Sequence, residues 1–116
     1  MRWLLIALLF TTLSCKKAEP ETFEVIYRVF LKQGGPASYN MTYSTGNGVT
    51  KTDGPESGAL WESPPVPLED NEAVDFTLNV ISGGATFTME IRKDWALIAD
   101  STFSSSIGKT TLQAVI

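Results

Sequence analysis

The sequence predicts an all-β domain, built as an antiparallel β-sandwich and preceded by a segment that is cut away. Three observations carry this expectation. From residue 23 onward apolar side chains recur at every second position, the spacing of strands with one buried face. No stretch shows the 3.6-residue period of a helix. Clusters of glycine, proline, asparagine and aspartate interrupt the alternation about every 8–12 residues, the rhythm of a sandwich of short strands.

The first strand runs from Phe23 to Leu31, with Phe23, Val25, Tyr27, Val29 and Leu31 on one face and Glu24, Ile26, Arg28 and Phe30 on the other. Ser38 to Ser44 alternates cleanly, Tyr39, Met41 and Tyr43 inward and hydroxyl or amide residues outward. Gly46-Asn47-Gly48 supplies the positive φ angles of a tight hairpin, and Val49 to Thr52 returns, closed by Asp53-Gly54-Pro55. Leu60 to Ser63 is a short strand around Trp61. Pro64, Pro65 and Pro67 then put the next stretch on an edge or a crossing between sheets, because proline donates nothing to a ladder. Ala73 to Ile81 follows, with Val74, Phe76, Leu78 and Val80 on one face. Ser82-Gly83-Gly84 reads as a hairpin turn, and Ala85 to Arg92 returns with Phe87, Met89 and Ile91 inward. Lys93-Asp94 makes another turn. Trp95 to Phe103 and Thr110 to Ile116 are the last strands, with Leu97, Leu112 and Ala114 inward. About seven strands in this order predict an immunoglobulin-like sandwich; a barrel is the alternative closure.

Ahead of the domain, Arg2 precedes an apolar run from Trp3 to Leu13 that ends in Thr12-Leu13-Ser14-Cys15, and Lys16-Lys17 follow at once. The run is shorter than the about 20 residues a helix needs to cross a hydrocarbon core, and its length suits a secretory signal. The segment resembles a bacterial lipoprotein signal peptide with residues 12–15 as the lipobox. The resemblance implies cleavage between Ser14 and Cys15, a diacylglyceryl group on the Cys15 thiol, and a mature chain held on a membrane of the cell envelope. The expected organisation is a signal peptide over residues 1–14, a lipidated cysteine and tether over 15–22, and the β-sandwich over 23–116. An uncleaved anchor or a buried first strand is the alternative for the apolar run.

Cutting before Cys15 leaves 102 of the 116 residues, enough for one core. Removing Arg2 takes the balance from 9 basic against 13 acidic side chains to 8 against 13. An acidic surface argues against nucleic acid, whose phosphates favour lysine and arginine, and against docking on anionic lipid by charge. With the single cysteine acylated there is no disulfide, so the fold rests on its core.

Little in the chain points to catalysis, and the expectation is a protein that is not an enzyme and needs no cofactor or metal. There is no histidine, which removes the commonest general base and the usual zinc sets. Ser106-Ile107-Gly108-Lys109 matches S-x-x-K, but in a turn of a small β domain it reads as a polar connection. Gly46 to Thr52 lacks the spacing and the helix of a phosphate loop. Glu69-Asp70-Asn71-Glu72 with Asp75 is the densest acidic cluster; it fits no EF-hand and reads as a solvated loop. Two aromatics are candidate ligand-binding residues: Trp95, where a turn would favour glycine, and Trp61, which is more readily explained as core. Either would bind by stacking on a sugar ring.

The succession Tyr27-Arg28-Val29-Phe30, Ala37 to Tyr43, Leu60-Trp61 and Gly84 to Ile91 leading into Lys93-Asp94 is similar to the extracytoplasmic domain of the mycobacterial MmpS small membrane proteins. That resemblance covers most of Phe23 to Ile116 and implies a small β-sandwich that accompanies lipid-exporting transporters of the resistance-nodulation-division class. Two features depart from it: a lipobox stands in place of a transmembrane anchor, and Met89 and Leu112 lie near where the family carries a cysteine pair. The function expected is therefore a lipid-anchored interaction module with a protein partner in the envelope, which the MmpS resemblance implies to be a membrane transporter; the alternative is a surface glycan-binding module.

Overall fold

The computed structural model describes residues 21–116. The expected signal peptide, its expected cleavage between Ser14 and Cys15, and most of the expected tether lie outside the described residues. These form seven strands and no helix: β1 (Thr22–Gly46), β2 (Val49–Glu56), β3 (Leu60–Glu62), β4 (Val66–Glu69), β5 (Ala73–Lys93), β6 (Ala96–Ser105) and β7 (Gly108–Val115). All belong to one antiparallel sheet. β1 and β5 pair along nearly their whole lengths, from Val25 opposite Lys93 to Tyr43 opposite Phe76. On its other side β1 pairs with β4, β3 and β2, and β5 pairs with β6 and β7.

This corrects the sequence reading at one point. Ser82-Gly83-Gly84 is no hairpin turn. The chain does not turn back along itself there but stays paired with β1 on both sides, and the two strands expected on either side are halves of β5. Phe23–Leu31 and Ser38–Ser44 are likewise halves of β1. The partner strand decides this, because β1 carries its own glycine pair, Gly34-Gly35, at the level of Gly83-Gly84, and the ladder slips register three times between Leu31 and Tyr39. The two strands bend together.

The bend has to be sharp. Glu69 pairs with Thr22, while Phe76 pairs with Tyr43 at the far end of β1. Four residue steps join Glu69 to Ala73, at most about 14 Å; a straight β1 would separate its ends by roughly 80 Å. The sheet therefore folds over at Gln33–Ala37 and Ser82–Gly84, bringing its ends together. The Tyr27 hydroxyl donates to the carbonyl of Ser44 at 2.8 Å, and the Tyr27 and Tyr43 rings lie 5.1 Å apart. Gly83 shows how close the strands come. It has φ +74, and a Cβ there would sit 2.2 Å from the Pro36 carbonyl oxygen.

Between the two leaves of the folded sheet lies the core. Tyr27, Tyr39, Tyr43, Phe76, Phe87 and Met89 are all fully buried, each on the face the alternation assigned. Phe76 packs against Tyr27 at 5.2 Å and Trp61 at 6.0 Å, tying the leaves together. Leu97 is the exception to the expected inward set, 46% exposed. A register shift in the β5–β6 ladder sets Ala99 opposite Ile91 and Leu97 opposite Arg92. The extra residue of this bulge turns Leu97 away from the core.

The proline stretch behaves as its chemistry requires. Among the described residues β4 pairs on one side only, with Pro67 opposite Glu24. The outer face of the neighbouring strands carries a charge row. Arg28 Nε lies 3.2 Å from the Glu62 carboxylate, off the angle of a hydrogen bond, and its Nη1 is 3.6 Å from Glu90. The guanidinium also covers the Phe30 ring at 4.7 Å.

Candidate functional site

The fold gathers several features at one end. β1 begins there, at Thr22. The Asn47-Gly48 turn, the 70–72 connection and Ile116 lie at the same end: Gly46 abuts Leu68 and Glu72, and Ile116 exchanges backbone hydrogen bonds with Asn71 and Glu72. So does the turn between β5 and β6, through its bonds to Glu24.

That turn is a two-residue loop, Asp94-Trp95, between the paired residues Lys93 and Ala96. Both loop residues have positive φ, 48° and 70°. Asn47 and Gly48, with φ of 55° and 75°, make the equivalent turn with residues suited to it. At Asp94-Trp95 a bulky aromatic occupies a position that glycine fills at least cost. Three contacts hold the turn. The Asp94 carboxylate accepts the Glu24 N–H at 2.9 Å, the Asp94 N–H donates to the Glu24 carbonyl at 2.8 Å, and Arg92 Nη1 donates to the Trp95 carbonyl at 2.9 Å.

Trp95 is 53% exposed, and Leu97 and Ile98 behind it are also exposed. Beside the turn, an open cleft of about 360 Å³ is lined by Thr22, Phe23, Glu24, Pro65, Pro67 and Asp94. The Lys93 ammonium sits 3.9 Å over the Phe23 ring and 3.6 Å from Asp70. The sequence reading singled out Trp95 but not Leu97 or Ile98. The signal was present, since four consecutive apolar residues, Trp95-Ala96-Leu97-Ile98, break the alternation.

The structure separates the other candidate from this end's surface. Trp61 is 8% exposed and packs between Tyr43, at 5.6 Å, and Phe76. Trp61 and Trp95 thus do not form one binding surface. The acidic residues Glu69, Asp70, Glu72 and Asp75 are dispersed: Asp70 meets Lys93, Asp75 accepts from Gln113 at 2.9 Å, and among the described residues no three ligating side chains are grouped to hold a metal ion. Ser106 and Ile107 connect β6 to β7, with Lys109 inside β7.

The buried tyrosines are the perturbed titratable groups. Burial, then the hydrogen bond from its hydroxyl to Asp53 at 3.0 Å, pushes Tyr43 up to about 12. Burial, then the charge of Glu72, pushes Tyr27 further upward, and burial followed by the charge of Glu56 raises Tyr39. All three stay protonated donors at neutral pH, which suits structural pins better than proton transfer.

Comparisons with protein-family models, curated proteins and solved structures found no match to this chain.

Proposed function

We propose that this chain is a lipid-anchored, non-enzymatic interaction module of a bacterial cell envelope, secreted by residues 1–14 and held on the membrane through acylated Cys15. One observation carries the reading: a single positive charge and a short apolar run end in Thr12-Leu13-Ser14-Cys15, with the chain's lone cysteine where lipidation needs it. Two or more acyl chains give a durable anchor. The domain they carry is read as a β-sandwich; the aromatic contacts of Tyr27 with Tyr43 and of Trp61 with Phe76 across the folded sheet support that form.

The module's work on this reading is to engage an envelope protein, and the resemblance to the MmpS proteins suggests a membrane transporter. Among the described residues β6 and β7 pair with β5 alone, and they contain no proline, so they offer an edge for strand addition. Changing Cys15→Ser tests the anchor: the precursor stays uncut or the protein moves to the soluble fraction. A variant that fractionates and migrates like wild type refutes it. Crosslinking in native membranes, followed by mass spectrometry, tests the partner; recovery of no transporter component removes the accessory role. A second reading, glycan binding, is favoured by the exposed indole of Trp95. A glycan array with Trp95→Ala as control decides it, since a true site loses its signal in the variant.

A further inference from the structure

We propose that the turn at Asp94-Trp95, with Leu97 and Ile98, is a second membrane contact: it enters the bilayer interface beside the lipid anchor and sets the domain's orientation on the surface. This rests on the lipid-anchor reading and adds a role for side chains of the folded domain.

Placement is the first argument. The turn is hydrogen-bonded in both directions to Glu24, two residues from where β1 begins. Seven residue steps separate Cys15 from Thr22, at most about 25 Å. An acyl anchor at Cys15 therefore keeps this end of the domain within reach of the bilayer. Tethering at that distance raises the local concentration of the turn at the surface to the millimolar range, so a weak insertion suffices.

Chemistry is the second. Trp95, Leu97 and Ile98 are 53%, 46% and 37% exposed, three apolar side chains within four residues. Indole favours the boundary between headgroups and acyl chains, where its ring is apolar and its N–H stays hydrated. Trp95 also sits at a φ of 70° that a glycine would adopt without strain. Retaining a bulky aromatic in that conformation is the kind of local cost found at functional positions. The nearby cations are engaged: Arg92 with Glu90 and the Trp95 carbonyl, Lys93 with Asp70. The contact is thus with the apolar interface of the bilayer and does not require anionic lipid.

The test uses the full chain, expressed with its leader, purified with its lipid and reconstituted in phosphatidylcholine vesicles, with and without bromine on the upper acyl carbons. With Trp3→Phe and Trp61→Phe in place, Trp95 is the only indole; its emission is expected to shift to the blue and to be quenched by the brominated lipid. Hydrogen exchange on the protein with all its tryptophans gives a readout that does not depend on those changes. Vesicles are expected to slow exchange over residues 94–98 about tenfold, and Trp95→Gly, which suits the turn, is expected to abolish that slowing while the protein still floats with the vesicles. Flotation with Trp95 unquenched and exchange unchanged overturns the turn's membrane role and leaves the anchor standing; glycan binding through Trp95 in that preparation would give its exposure a different cause. Failure to float, with Cys15 unmodified by mass spectrometry, overturns both readings.

Discussion

Two glycines with nearly identical φ allow the folding-over of the sheet to be tested by a difference. Gly83 and Gly48 have φ of +74° and +75°. Alanine at either position meets the same left-handed penalty, about 1–2 kcal/mol, partly offset by the stiffer unfolded chain. Their surroundings differ. A Cβ at Gly48 meets nothing within 4 Å, whereas at Gly83 it falls 2.2 Å from the Pro36 oxygen and 3.1 Å from the Ala37 Cα, both backbone atoms. Relieving that overlap moves β1 and β5 apart by about an ångström where Ala37 pairs with Gly83, and overpacking of this kind costs a further 1–3 kcal/mol or so. Urea unfolding monitored by circular dichroism reads the outcome. With a slope of about 1–1.5 kcal/mol per molar for a domain this small, Gly83→Ala should lower the midpoint roughly 1–2 M more than Gly48→Ala does. Equal shifts for the two variants would refute the close approach at the bend, and with it the reason the sheet closes on itself.

Three further outcomes follow from the packing. Phe76→Ala removes a fully buried ring that touches both leaves and should cost about 3–5 kcal/mol, measurable by the same titration; a loss near zero means that the inward register is wrong. Because Tyr43 titrates in the folded state near 12 against an ordinary 10.0, the fold binds a proton that the unfolded chain releases first; stability is complete below pH 10 and falls as pH rises toward 12. Tyr43→Phe should flatten that decline in a urea midpoint series from pH 8 to 11.5, at the cost of the Asp53 hydrogen bond. Arg28→Met should destabilise by about 1–2 kcal/mol by taking one of its two cationic neighbours from Glu90, whose side chain is only 12% exposed, and Glu90→Gln in the same background should recover part of the loss.

Much of the core was legible because strand alternation is a local property. Tyr27, Tyr39, Met41, Phe76, Phe87 and Met89 could be assigned to the interior from their own neighbours in sequence. The Asn47-Gly48 turn was legible for the same reason, its residues being suited to the angles they adopt. What could not be read locally was direction. A glycine pair between two alternating runs marks a departure from a straight strand, yet Ser82-Gly83-Gly84 becomes a bend and not a hairpin only because β1 bends beside it at Gly34-Gly35. Leu97 was misplaced because a single extra residue in β6 inverts the faces on its N-terminal side, and that bulge exists only in the ladder with β5. At the candidate site, Trp95 stood out as an aromatic at a glycine-like turn position. Its nearness to Glu24 and the chain's entry point depended on a pairing across 70 residues.

The order of strands has one more consequence. Exchanging β1 with β5 leaves the pairing scheme nearly unchanged: each is a long bent strand, followed by a two-residue turn and an interrupted return along its outer side. The chain is two alike hairpins locked along one seam, with 70–72 as the sole covalent link between them. Severing that link would cut no ladder, so the halves are natural fragments for complementation, each supplying one long bent strand to the shared seam.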